Sequence, residues 1–206
     1  MLSKRLKTIA SLINIQDIVI DIGCDHGYLD IYLKENHLCQ NVYASDISEN
    51  ALNVARNNFQ KRNINIETFV SNGFENIPFT FNTAVIAGMG TSTILKIINN
   101  EKSPNKLVIS SHNELYKLRK SLNEYGYKIV NEKAVYENNH YYVILECLKG
   151  KQKLNDNELK FGISNNVEYY KYLLNKNFTI INQVSKLKKE ELERDNEILK
   201  TFIEKK

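Results

Sequence analysis

The chain is poor in the residues that cross-link or punctuate a fold. Its 206 residues include 2 prolines, 8 glycines, 3 cysteines, 4 histidines and no tryptophan. Cys24, Cys39 and Cys147 are odd in number and form no C-x-x-C pair. His26, His37, His112 and His140 lack metal-ligand spacing, so neither a disulfide framework nor a structural zinc is expected. No apolar run approaches the roughly 18 residues of a membrane span, and residues 1–11 lack the apolar stretch of a signal peptide. These absences predict a cytoplasmic protein with neither membrane nor metal among its partners. Nothing in the composition resembles disorder. At 42% hydrophobic residues the chain can bury a real core, either as one domain of about 150 residues with an appendage or as one large domain.

The formal charge of +4 matters less than its distribution. Residues 1–13 carry Lys4, Arg5 and Lys7 with no acid, residues 151–206 carry 12 basic and 9 acidic groups, and the middle holds 13 against 15. Positive charge therefore sits at the two ends, where a sugar-phosphate backbone would be gripped. Lys-rich helices that are merely well solvated account for the same numbers.

The organising stretch is I-V-I-D-I-G-C-D-H-G-Y-L, from Ile18 to Leu29. A β-branched run from Ile18 to Ile20 ends at Asp21, a turn holds Gly23 and Gly27, and a helix opens at Tyr28. In a parallel α/β sheet such a loop lies at the carboxyl end of a strand, where ligands bind. The strand Val42–Ala44 then delivers Asp46, which follows Gly27 by 19 residues. A nucleotide-binding fold keeps its ribose-gripping carboxylate at that distance. G-x-G-x-x-G has become G-C-D-H-G, and Asp25 would repel a pyrophosphate. S-adenosylmethionine, with an ammonium and a sulfonium, suits the loop better, and its carboxylate can meet backbone N–H groups at the helix start.

Upstream, Leu2, Leu6, Ile9 and Ile13 give Ser3–Ile13 an apolar helical face, with Lys4 and Lys7 opposite. Arg5 falls on the side to be buried, which calls for either a salt bridge to a core carboxylate or a phosphate at the site. Downstream, short strands alternate with helices: helix Glu49–Lys61, strand Asn65–Val70, strand Thr83–Ala87, helix Ser92–Asn99, strand Leu107–Ser110 and helix Glu114–Tyr125. This predicts a doubly wound parallel sheet. Tyr127–Tyr136 and Tyr141–Leu148 follow as an antiparallel hairpin closing the sheet edge, an ending typical of class I methyltransferases. From Lys151 the strands vanish. Val167, Tyr170, Leu174, Ile181 and Val184, with Asn177 in one core slot, and then Leu192, Leu199 and Ile203, predict a two-helix coiled-coil arm with a turn near Ser185–Lys189. The expected division is a catalytic domain over 1–153 and an arm over 154–206.

Other loops complete the pocket. Asn72-Gly73, after the third strand, is either an ordinary turn or a contact to an adenine amine. Ala87, Gly88, Met89 and Gly90, after the fourth, leave open space beside the sulfonium, with Thr91 or Ser92 as N-cap of the next helix. Ser110-Ser111-His112-Asn113, after the fifth, touches substrate or caps the helix from Glu114, with Asn113 the better cap. The N-P-P-Y or D-P-P-Y clamp of many amino-methylating enzymes is absent.

On D-I-G-C-D-H-G-Y-L (Asp21–Leu29), I-A-G-M-G (Ile86–Gly90) and L-S-K-R-L (Leu2–Leu6), the chain resembles the bacterial tRNA adenine-N1 methyltransferases that modify A22. Phe161-Gly162-Ile163 matches a weaker F-G-P of that family, and a helical appendage is shared. Three departures stand out: Thr91 replaces a second glycine, Asn72-Gly73 replaces G-D-G, and Ser111-His112-Asn113 replaces Q-P-N. The resemblance implies a Rossmann-like class I fold acting on tRNA, with S-adenosylmethionine as cofactor and a monomeric enzyme. Asp21, Gly23, Cys24, His26, Gly27, Asp46, Ile47, Asn72, Gly73, Ala87 and Gly88 would form the cofactor site. Lys4, Arg5, Met89, Gly90, His112 and Asn113 would meet the substrate. Adenine N1 has an in-plane lone pair and no hydrogen, so no general base is required. Asp25 would supply a negative field for the cationic product, or hold the cofactor. A small-molecule or protein methyltransferase, or an RNA-binding module without catalysis, are competing readings, and an NAD enzyme is the weakest.

Overall fold

A computed structural model of the chain describes residues 2–111 and 113–205. The elements are α1 (Lys4–Ala10), β1 (Ile18–Ile22), α2 (Tyr28–Glu35), β2 (Asn41–Asp46), α3 (Glu49–Lys61), β3 (Thr68–Val70), β4 (Thr83–Met89), α4 (Thr91–Ile98), β5 (Lys106–Ser111), α5 (Leu115–Glu124), β6 (Tyr127–Glu137), β7 (His140–Lys149), α6 (Asp156–Phe161), α7 (Val167–Ile180) and α8 (Lys186–Glu204). One seven-stranded sheet has the order β3-β2-β1-β4-β5-β7-β6. Its first five strands are parallel, and β7 runs antiparallel to both β5 and β6. This is the predicted Rossmann-like sheet closed by a hairpin.

Both faces of the sheet are covered, which is why its central strands read as continuous apolar runs. Ile20 and Ile22 of β1, Ala84 and Ile86 of β4, Leu107 and Ile109 of β5, and Val143, Leu145 and Cys147 of β7 enter one core with α4, α5 and the C-terminal helices. The alternate residues Val19, Val85, Val108 and Ile144 enter the other, against α1 and α2. The hairpin turns at Asn138 and Asn139, whose φ values of 52° and 62° fit a type I′ turn.

Several boundaries differ from expectation. The first helix ends at Ala10, where the Leu12 and Ile13 N–H groups turn back to the carbonyls three residues earlier, of Ile9 and Ala10. The third strand is only Thr68–Val70, and the fourth continues through Gly88 to Met89. Thr91 is the first residue of α4, whose N-cap is Gly90. The C-terminal segment holds three helices, where two were expected. The additional one, α6, starts from a capping box formed by Asn155 and Glu158. Helix α7 stops at Ile180, so Val184 lies in the link to α8. The anticipated polar slot at Asn177 exists, its Nδ2 donating to Oδ1 of buried Asn196 at 2.9 Å. Phe161, Tyr169, Tyr170 and Leu199 of these helices belong to the larger sheet core.

Candidate functional site

The strand order reverses between β1 and β4, and a crevice at the carboxyl ends of strands is the ligand position of such sheets. A cavity of about 590 Å³ opens there. Asp21 lies inside β1, buried at 6% exposure, and lines the cavity. Gly23 (φ 74°) follows, where a Cβ would collide with the Met89 methyl. The Gly23 and Cys24 N–H groups both donate to the Ser45 carbonyl, at 2.8 and 3.0 Å. The loop is thereby fastened to β2. Asp25 takes φ 52°, and its N–H donates to Asp46 Oδ2 at 3.3 Å while the Ser48 N–H donates to Oδ1 at 2.9 Å. Two backbone donors thus orient the Asp46 carboxylate and leave it lone pairs for a ligand.

The electrostatics are acidic and dry below, acidic and wet above. Burial, and then the charge of Asp46, push the Asp21 carboxyl up to about 7. Beneath it Asp30, fully buried, has both carboxylate oxygens without a hydrogen-bond partner among the described residues. Burial, and then the Asp21 charge, hold Asp30 well above the usual carboxylate range. Burial raises the Cys24 thiol too, followed by the surrounding aspartates, so it is no nucleophile. At the rim, the Asp25 side chain is 72% exposed, 3.8 Å from His26 Nε2.

Of the predicted site residues, Arg5, Asp21, Gly23, Cys24, Asp25, His26, Asp46, Ile47, Asn72, Gly73, Ala87, Gly88 and Met89 line this one cavity. Asn72 Nδ2 is held by Glu75 Oε1 at 2.9 Å, which turns its amide oxygen into the available acceptor. Arg5 finds no carboxylate for its guanidinium among the described residues. It lies 5.2 Å from the centre of the Tyr142 ring, while Glu137 receives the backbone N–H groups of Lys4 and Arg5.

Gly27, Gly90, Asn113 and Lys4 are not on the cavity wall. Gly27 (φ 68°) is the N-cap of α2 and lets α3 approach, since a Cβ there would strike Phe59. Asn113 does not cap α5. Its Oδ1 accepts from the Thr91 N–H at 3.0 Å, at the start of α4. Thr91 Oγ1 meets Ser111 Oγ at 2.8 Å and donates to the Asn113 carbonyl at 2.6 Å, tying the β4 loop to the β5 loop. Lys4 is exposed on α1. The expectation for His112 lies outside the described residues. Sequence reasoning missed Tyr28, Thr93 and Ile97 on the wall. Thr93 and Ile97 are four apart on α4, a spacing that signals a shared face but not which one.

Known proteins match the chain closely. Residues 2–145 fit the methyltransferase-domain family. A putative tRNA methyltransferase of Mycoplasma genitalium is 39% identical over 159 residues, spanning 73% of this chain and 72% of the relative. Among solved structures, M. capricolum TrmK with S-adenosyl-homocysteine is 32% identical with a TM-score of 0.83, covering 99% of this chain and 98% of that one. A putative tRNA (m1A22) methyltransferase of Streptococcus pneumoniae bound to S-adenosyl-L-methionine is 25% identical, with a TM-score of 0.87, covering 98% and 100%.

Proposed function

The chain belongs to the methyltransferase-domain family, among its tRNA methyltransferases, and from that premise we propose that it methylates N1 of adenosine 22 in tRNA, with S-adenosylmethionine as donor. The observation that carries the cofactor assignment is the stack of carboxylates in one cavity, Asp21 on its floor and Asp46 fixed by two N–H donors on its wall. A cationic adenosine derivative matches that set of acceptors: Asp21 would face the ammonium, Asp46 would accept from the ribose diol, and the Asn72 oxygen would accept from the adenine amine. The cofactor supplies an electrophilic methyl group. Everything else is orientation and field, because adenine N1 needs no proton removed before it attacks. Asp25, beside the opening, stabilises the positive charge that develops on the base. Gly88 and Met89 leave room for the adenine, and Arg5 at the mouth meets a phosphate.

A base in folded RNA must leave its stack to enter such a cavity. Residues 154–206 are proposed as the arm that steadies the tRNA, on a monomeric enzyme working in the cytoplasm. Among the described residues no helix is long and apolar enough to cross a membrane, and no cluster of His, Cys, Asp or Glu is arranged to hold a metal. Incubating the protein with transcribed tRNA and labelled cofactor, then mapping N1 methylation by reverse-transcription arrest, tests the proposal. A stop at A22 that disappears with a G22 transcript is the expected result. Methyl transfer to another position, or none, refutes it.

A further inference from the structure

Beside the cofactor cavity lies a second one of about 840 Å³, between the start of α1, the outer face of α2 and the end of α3. Tyr28 and Leu6 line both and form the partition between them. Tyr28 is 54% exposed, with its ring 5.5 Å from that of His26. Beyond it come Tyr32, Asn58, Lys61 and Arg62. Asn58 Nδ2 donates to the His26 carbonyl at 3.0 Å, so the far wall is anchored to the cofactor loop. Glu35 Oε1 holds one arm of Arg62 at 2.8 Å, while that side chain stays 58% exposed. Lys61 is exposed and has no ion pair among the described residues.

We propose that this second cavity is the subsite for a nucleotide flanking the methylated adenosine, its base against the Tyr28 and Tyr32 wall and its phosphate toward Lys61 and Arg62. The inference rests on the tRNA reading and adds the path of the strand. Aromatic faces next to cations are how single-stranded RNA is held, since every base offers a π-face and every linkage a charge. Two cations against Glu35 leave the lining net positive, which suits a phosphodiester and opposes a second cationic cofactor. The volume is within the range of about 300 to 1,000 Å³ that encloses small ligands. Continuity through Tyr28 allows one strand to occupy both cavities.

The test uses Tyr32→Ala, Tyr32→Phe and Lys61→Ala, none of which alters the cofactor cavity. Cofactor Kd is read by calorimetry, tRNA Kd by fluorescence anisotropy, and KM and kcat with transcribed tRNA. Tyr32→Ala should raise tRNA Kd and KM about 5- to 160-fold, the effect of losing one stacked base, while cofactor Kd and kcat hold. Tyr32→Phe should behave as wild type. Lys61→Ala should make the salt dependence shallower, by about 0.7 to 0.9 in log-log slope. If Tyr32→Ala melts early, Lys61→Ala and Arg62→Gln, both at exposed positions, decide the matter. Wild-type tRNA affinity in those variants overturns the subsite and leaves the enzyme reading intact. A wild-type protein that neither binds nor methylates tRNA overturns both.

Discussion

Arg119 and Glu132 form an ion pair whose two side chains are 0% exposed, and this pair decides whether the C-terminal helices are a detachable arm. The guanidinium is bidentate on the carboxylate, with Nη2 to Oε1 at 2.8 Å and Nε to Oε2 at 3.1 Å. Nη1 donates to the Leu159 carbonyl at 2.9 Å, and the Ile163 N–H donates to Glu132 Oε2 at 3.3 Å. Half of the cage is therefore built from residues beyond 154. Gly162 (φ 85°) presses on it so closely that a Cβ would overlap Glu132 Oε1. That overlap is a physical reason for glycine in the Phe161-Gly162-Ile163 stretch. Glu132→Leu leaves the guanidinium buried with the Leu159 and Lys160 carbonyls but no carboxylate beside it among the described residues, at a cost of about 3 to 5 kcal/mol. For a chain this size that lowers the melting temperature by roughly 6 to 20 °C. Replacing both partners, Arg119→Met with Glu132→Leu, should recover most of the loss, because a matched apolar pair avoids the desolvation penalty. Deleting residues 155–206 strips the cover from the pair and from the Tyr169 and Tyr170 side of the core, so the truncated chain should unfold more readily than either variant. Urea titration followed by circular dichroism, with cofactor Kd at each step, measures all three. A Glu132→Leu protein within about 1 kcal/mol of wild type, below the usual cost of an unsatisfied buried group, refutes the reasoning. So does a truncated protein that melts normally.

Asp46→Ala should weaken S-adenosylmethionine binding by about 1.5 to 3 kcal/mol, the worth of hydrogen bonds to a charged acceptor; calorimetry checks it, and unchanged affinity removes Asp46 from the site. Asp25→Asn should lower kcat more than cofactor affinity, since the amide keeps hydrogen bonding and loses the field; equal losses in both would make Asp25 a cofactor ligand alone. Because Asp21 titrates at about 7 when folded, against an ordinary 3.8, the folded chain binds the extra proton between those values. Its contribution to stability is therefore full below the ordinary value and is lost as pH rises to about 7. Asp21→Asn should accordingly raise the melting temperature at pH 8 relative to wild type, and more so than at pH 5, while cofactor binding weakens. In the wild type, cofactor affinity should increase as pH rises through about 7, as Asp21 ionises to meet the ammonium; a flat calorimetric profile from pH 6 to pH 8 contradicts that role.

Local chemistry makes much of this protein legible in its sequence. The β-branched run into Asp21, the glycines that tolerate φ above zero and the carboxylate 19 residues on are signals carried by neighbours in the chain, and the loop and Asp46 do share one cavity. The parallel sheet and its closing hairpin are readable for the same reason, because backbone pairing imposes short periods on the sequence. The tertiary structure alone decides what rests on contacts between distant residues. Asn113 reads as a cap for the helix beside it and instead accepts from the first N–H of α4, 22 residues back. Lys106, one residue before the strand expected at Leu107, is buried against Asp17 and Glu146. Arg5, for which a core ion pair is one expectation, has Tyr142 for a neighbour. Arg119 and Glu132 lie within an expected helix and an expected strand with nothing local to pair them, and α6 closes over them. A side chain's partner across the fold leaves no periodicity in the chain, and a buried charge is recognised only once the groups that desolvate and satisfy it have been brought together.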